Sequence, residues 1–174
     1  MDYQDLAENP PHEILGITLE KYRNSIDEFR LSKEFKKMQP NQQVHQWFKE
    51  YGQFYRHIAL TAVPRIAAPE SAAWVFRHFG DWIRSFAFVP SKRQGQILPV
   101  YDLTKADYLK WLNKADIFIE DNELNTAGLK QDTIRSFIVA RPWNSSKTQT
   151  EDVLSILNDI RGSRGQCQVA TKGN

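Results

Sequence analysis

Apolar residues recur at three- and four-residue steps along almost the whole of this 174-residue chain. Proline and side-chain capping signals punctuate the stripes, and five Trp, ten Phe and six Tyr supply bulk for an aromatic core. These observations predict an all-α single domain of about six amphipathic helices, spanning residues 12–161 between an acidic arm (1–11) and a flexible basic tail (162–174).

Leu19, Tyr22, Ile26 and Phe29 lie on one helix face, entered after Pro10 and Pro11, and Ser32 caps a continuation to Met38. Pro40-Asn41 starts a second helix whose stripe runs through Val44, Trp47, Phe48, Tyr51, Phe54, Tyr55, Ile58 and Ala62, with Pro64 as its stop. Pro69-Glu70 opens a third, buried through Val75, Phe76, Phe79, Trp82, Ile83 and Phe86, that should end before Pro90. Residues 87–101 read as a short hairpin or an ordered loop, and Pro99 argues against a central strand there.

Thr104 with Asp107 three residues on is a capping-box analogue that starts a fourth helix through Tyr108, Leu109, Trp111 and Leu112. The run Ile117-Phe118-Ile119 is one that periodicity alone does not assign. A fifth helix is expected from about Thr126 to Ala140, stopped by Arg141-Pro142. A sixth starts at Thr148–Glu151 and buries Val153, Leu154, Leu157 and Ile160, with Gly162 as its terminator.

Composition excludes several classes. One cysteine, Cys167, supports neither a disulfide framework nor a multi-cysteine zinc site. No apolar run of about 18 residues occurs, so no membrane span is expected. The acidic, polar start MDYQDLAENPP does not read as a secretory signal, and a cytoplasmic location, in a producer or host cell, is expected.

Charge is segregated. Residues 1–28 carry seven acids against two bases, and residues 29–100 carry eleven bases against four acids. Residues 101–160 turn acidic again, and the tail is basic, so the overall charge of +2 hides a cationic middle. There Phe54-Tyr55-Arg56-His57 and Val75-Phe76-Arg77-His78 repeat an aromatic-Arg-His pattern on what should be successive antiparallel helices. A groove between them would present Arg56, Arg65, Arg77, Arg84, Lys92 and Arg93 to phosphate, with His57 and His78 as helpers and rings to stack unpaired bases. Helix faces are charged in any soluble protein, and Arg commonly lies beside core aromatics, so the same pattern also describes an ordinary solvated surface. A helix-turn-helix within 126–161 is rejected, because Glu151, Asp152 and Asp159 on its second helix would repel phosphate.

The expected function is therefore a non-enzymatic nucleic-acid-binding or nucleoprotein-assembly protein, a coat-type subunit from a virus or mobile element. It would favour single strands such as RNA, and it would pack against itself through complementary charged ends. The alternative is a protein–protein adaptor or inhibitor acting through its acidic surfaces at 1–28 or 116–123. No cofactor, metal site or catalytic residue is expected. His12, His45, His57 and His78 lack metal-ligand spacing, and no Walker A, G-x-G-x-x-G or G-x-S-x-G motif occurs. The acid cluster Asp116, Glu120, Asp121 and Glu123 lacks the EF-hand pattern and reads as solvated surface. An enzyme of another kind would need a polar pocket with perturbed groups.

One internal echo stands out. Asp81-Trp82-Ile83-Arg84-Ser85-Phe86 and Asp132-Thr133-Ile134-Arg135-Ser136-Phe137 agree at five of six positions. Each is placed at the end of a predicted helix, as a duplicated helical hairpin or as coincidence.

Overall fold

The computed structural model describes residues 2–170, with side chains through Arg161; the expectations for the tail around Arg164, Cys167 and Lys172 lie outside the described side chains. The helices are α1 (Leu19–Leu31), α2 (Lys33–Lys37), α3 (Gln42–Tyr51), α4 (Ala68–Phe79), α5 (Lys105–Leu112) and α6 (Thr150–Ala170). Between them run β1 (His57–Val63), β2 (Ile83–Pro90), β3 (Ile117–Glu120) and β4 (Arg135–Ile138). β1 and β2 pair in parallel across α4, and β3 and β4 pair in parallel across a crossover holding a 3-10 turn at Glu123–Thr126. The protein is a mixed α/β fold with two parallel two-stranded sheets, which overturns the all-α expectation.

Several chemically local helical signals hold, but Gly162 does not end α6, which runs on to Ala170. Thr18, Ser32 and Asn41 cap α1, α2 and α3 through their side chains. Thr104 and Asp107 form the reciprocal capping box of α5. The errors fall where an apolar run was extended past its helix. α3 ends at Tyr51, and Gly52–Phe54 forms a 3-10 turn, so the stripe from Phe54 to Ala62 belongs mostly to a strand. Likewise α4 stops at Phe79, and Ile83–Phe86 opens β2. The hairpin alternative at 87–101 fails too, because β2 pairs with β1 and residues 97–101 form no strand. The predicted fifth helix at 126–140 is replaced by a turn and β4. Strands covered on both faces read as near-continuous apolar runs, which periodicity does not separate from a buried helix.

Two layers of packing join these pieces. Leu109, Phe118 and Ile134 form a buried cluster onto which Leu60 of β1 and Tyr108, Ala115 and Leu129 pack, so β1 touches the second sheet's core. On the other side an aromatic layer of Trp47, Phe48, His57, Phe79 and Trp82 fills the space between α3, α4 and β1. α6 lies across it. Trp47 Nε1 donates to Asn158 Oδ1 at 3.0 Å, Tyr55 Oη donates to the Leu157 carbonyl, and Val153 is 2% exposed. The Arg161 guanidinium stands 4.6 Å from the Phe54 ring centre and 5.2 Å from that of Tyr51, which adds about 0.5–1 kcal/mol per contact.

Candidate functional site

Parallel pairing sends the carboxyl ends of β3 and β4 to the same edge, with Glu120 opposite Ile138. In open α/β sheets that edge is where loops gather around ligands. Three segments meet here: the first turn of α5, the turn 121–126 that leaves β3, and the loop 141–146 that leaves β4.

Glu120 is the one buried charged side chain among the described residues, at 5% exposure. Lys105, the first residue of α5, donates from Nζ to Glu120 Oε2 at 2.6 Å, and its own side chain is only 13% exposed. The other carboxylate oxygen, Oε1, accepts from the backbone N–H of Asp121 and of Asn122, each at 3.2 Å, and from Asn125 Nδ2 at 3.1 Å. Burial pushes the Glu120 carboxyl up, but the Lys105 ammonium and the donated hydrogen bonds outweigh it and hold the group below its ordinary value.

Asp121 meets the opposite fate. Burial raises its carboxyl, the hydrogen bond and negative charge of Glu120 raise it further, and Lys105 and Arg141 only partly offset this. Two adjacent carboxyls are thus shifted in opposite directions, Glu120 downward and Asp121 upward, the kind of separation that can divide acid and base roles. The backbone around them is fixed. Trp143 Nε1 and Asn144 Nδ2 donate to the Asp121 carbonyl at 3.0 and 2.8 Å, and Ser145 donates from N and Oγ to Glu123 Oε1 at 3.0 and 2.6 Å. The Tyr3 ring sits edge-on against Trp143 at 5.9 Å, so the amino-terminal segment braces the same loop. Leu103 and Leu124, neighbours in the chain of Thr104 and Asn125, stand 78% and 75% exposed. Among the described residues no group of three His, Cys, Asp or Glu side chains could hold a metal ion.

The acid cluster at 116–123 was expected to be solvated; Glu120 is buried instead, and its partner lies 15 residues away on a helix. A usable signal was present: an apolar run, Ile117-Phe118-Ile119, ending in two acids is how a buried strand delivers side chains to its carboxyl end.

The eight residues expected to bind nucleic acid are not brought into one groove. Arg56 and Arg84 are exposed at the amino ends of β1 and β2, near the carboxyl end of α4 that carries Arg77 and His78. Arg65 and Lys92 are exposed at the opposite ends of the same strands, about 20 Å away at strand rise. Several are engaged elsewhere. Arg93 grips Asp27 through Nε at 2.6 Å and Nη2 at 2.9 Å, and Arg77 Nη1 donates to the Lys36 carbonyl at 2.6 Å. His57 is packed 4.6 Å from the Phe48 ring with Nε2 2.8 Å from the Gly52 carbonyl, and burial holds its pKa below the ordinary value. His78 stacks at 5.0 Å on Trp74 and is lowered by burial, then by the charges of Arg77 and His45. The antiparallel helix pair that would have formed the groove is absent, because residues 57–63 are a strand.

No family model, curated protein or solved structure matches the chain. Among the described residues no helix is long and apolar enough to cross a membrane.

Proposed function

We propose that this α/β protein binds a small polar molecule at the carboxyl end of β3 and exchanges a proton with it through Asp121. The observation that carries the reading is the pair of neighbouring carboxyls. Glu120 is held by Lys105 and three N–H donors, which lower its pKa, and the Asp121 carboxyl beside it is shifted upward by burial and by Glu120. Burying a charge pair is a poor way to gain stability, since desolvation consumes most of the attraction. Perturbed, partnered groups at the carboxyl edge of parallel strands are more economically explained as a reaction site. In this reading Lys105 and Glu120 position and polarise, and Asp121 carries the proton. Exposed Leu103 and Leu124 offer apolar contact to the rest of the molecule.

The test has two arms. The Asp121 carboxyl is followed by carbon-13 NMR through a pH titration, with Asp121→Asn as the assignment control. In parallel, chromogenic esters, phosphates and glycosides are screened against the wild type and the same variant. Asp121 should titrate above its ordinary 3.8, and any turnover found should fall by about a hundredfold or more in a variant that stays folded. Titration at or below the ordinary value, or turnover equal in the variant, overturns the proposal.

A further inference from the structure

The opposite, amino-terminal edge of the second sheet holds a cleft that the Asp121 site does not use. Its volume is about 500 Å³, within the range that small ligands occupy. The lining has two chemistries. Leu109, Ala115, Leu129 and Ile134 supply an apolar floor, with Leu109 and Ile134 each only 5% exposed and so held fast by the core. Lys110, Lys114 and Lys130 stand exposed around it, against a single lining acid, Asp116.

Local backbone geometry builds the mouth. α5 ends at Asn113 in the left-handed region, φ 48°, which turns the chain so that Lys110 and Lys114 both border the cleft. Gly128, φ 77°, makes the turn on the facing side, and a side chain there would lie 3.1 Å from Lys110 Nζ. The glycine therefore leaves room for that ammonium at the mouth. Lys110 has only a loose, exposed contact with Asp107 at 3.7 Å. Among the described residues Lys114 and Lys130 make no ion pair. Three ammonium groups border an apolar floor against one lining carboxylate, Asp116, and the loose Asp107 contact, an excess of positive charge whose complement is an anion with an apolar body.

We propose that this cleft is a binding site for a small organic anion, its apolar or aromatic part on Leu109, Leu129 and Ile134 and its anionic group among Lys110, Lys114 and Lys130. The site is distinct from the Asp121 carboxyl and stands whether or not proton transfer occurs there. The anion and the apolar floor are both required: an inorganic ion lacks the second, and a neutral ring lacks the first.

The full chain, labelled with nitrogen-15, is titrated with 2-naphthalenesulfonate, with the neutral 2-naphthalenemethanol, and with inorganic phosphate. The sulfonate should give saturable amide shifts centred on Asn113, Ala115, Gly128 and Leu129, and bind about tenfold or more tightly than either control. In Lys114→Glu/Lys130→Glu, both exposed positions whose exchange leaves the floor intact, sulfonate affinity should fall by about tenfold or more while distant amides keep their positions. Shifts centred elsewhere, equal binding of the neutral ring, or unchanged affinity in the double variant would each overturn the proposal.

Discussion

Taking the cation away from the Lys105–Glu120 pair probes the candidate site through stability alone. In Lys105→Met the Glu120 carboxyl, 5% exposed, keeps its three N–H donors and loses its ammonium partner. Left anionic, a carboxylate stranded by removal of one partner destabilises by about 3–5 kcal/mol. Protonation offers an escape, whose cost adds to the loss of what the depressed folded value contributed. Starting from the ordinary value of 4.5, holding a carboxyl neutral at pH 7 costs about 3.4 kcal/mol, at about 1.4 kcal/mol per pH unit. The remaining N–H donors soften the loss, so about 2–3 kcal/mol is expected at pH 7. At pH 5 that neutralisation cost falls to about 0.7 kcal/mol, and the deficit should shrink with it. The wild type has the complementary sign. Its folded-state Glu120 lies below the ordinary value, so the pair's contribution is present above about pH 4.5 and disappears as the pH falls through the depressed folded value. Urea unfolding at pH 7 and pH 5 reads both quantities. Adding Glu120→Leu to the variant should restore most of the loss at pH 7, since both charges are then gone. A deficit under about 0.5 kcal/mol at pH 7, or one of equal size at pH 5, refutes the reasoning.

Three further outcomes follow from the packing. In Gly52→Ala the new methyl would lie 2.8 Å from Trp82 Cδ1 and 3.0 Å from Phe48 Cδ1, so unfolding should become easier by about 1–3 kcal/mol; an unchanged midpoint would show that the aromatic layer is loose. Val153→Ala empties a fully packed position on the inner face of α6 and should cost about 2 kcal/mol in chemical denaturation, and no loss would mean that α6 is not docked. Because burial depresses His57 below its ordinary 6.5, the stability it confers is present above pH 6.5 and is lost as the pH falls through its folded value. His57→Phe should therefore flatten that part of the stability–pH curve, and an identical slope in the variant would place the titration elsewhere.

What was legible in the sequence is what one segment decides by itself. Thr104 and Asp107 sit three apart, each within reach of the other's backbone N–H, so their capping box forms whatever lies above it. Ser32 ends one helix and caps the next for the same reason. His57–Val63 was not legible, because its residue types show no clean alternation and the strand is mostly half-buried, with only Val63 fully buried. The Lys105–Glu120 pair was half legible. The acids are visible at the end of an apolar run, but that one of them is buried depends on a lysine that only the packing of α5 beside β3 brings to it. The cationic groove failed for a related reason. Its residues are close in sequence and share a sign, but a strand separates Arg56 from Arg65 where a helix pair would have aligned them.

The echoed hexapeptide gains its meaning from the same topology. Neither copy ends a helix; each leads into the returning strand of a parallel pair, β2 for residues 81–86 and β4 for residues 132–137. The shared letters fit that task position by position. Ile83 and Ile134 are buried at 9% and 5%, each the first core side chain of a strand arriving from a crossover. Arg84 and Arg135 follow exposed, and Phe86 and Phe137 come back half-buried three residues after the isoleucines, a spacing that simple alternation does not give and that in β2 coincides with a register shift between the pairs His57–Ile83 and Ala59–Phe86. Asp81 and Asp132 lie in the turn that precedes, where a short polar side chain is at ease. Both copies thus place a buried isoleucine at the entry of a returning strand and an exposed arginine directly after it. The crossovers differ, α4 in one unit and a 3-10 turn in the other, and it is the shorter crossover that sets Glu120 and Asp121 under the turn that follows β3, where the first sheet has only Val63 and Pro64.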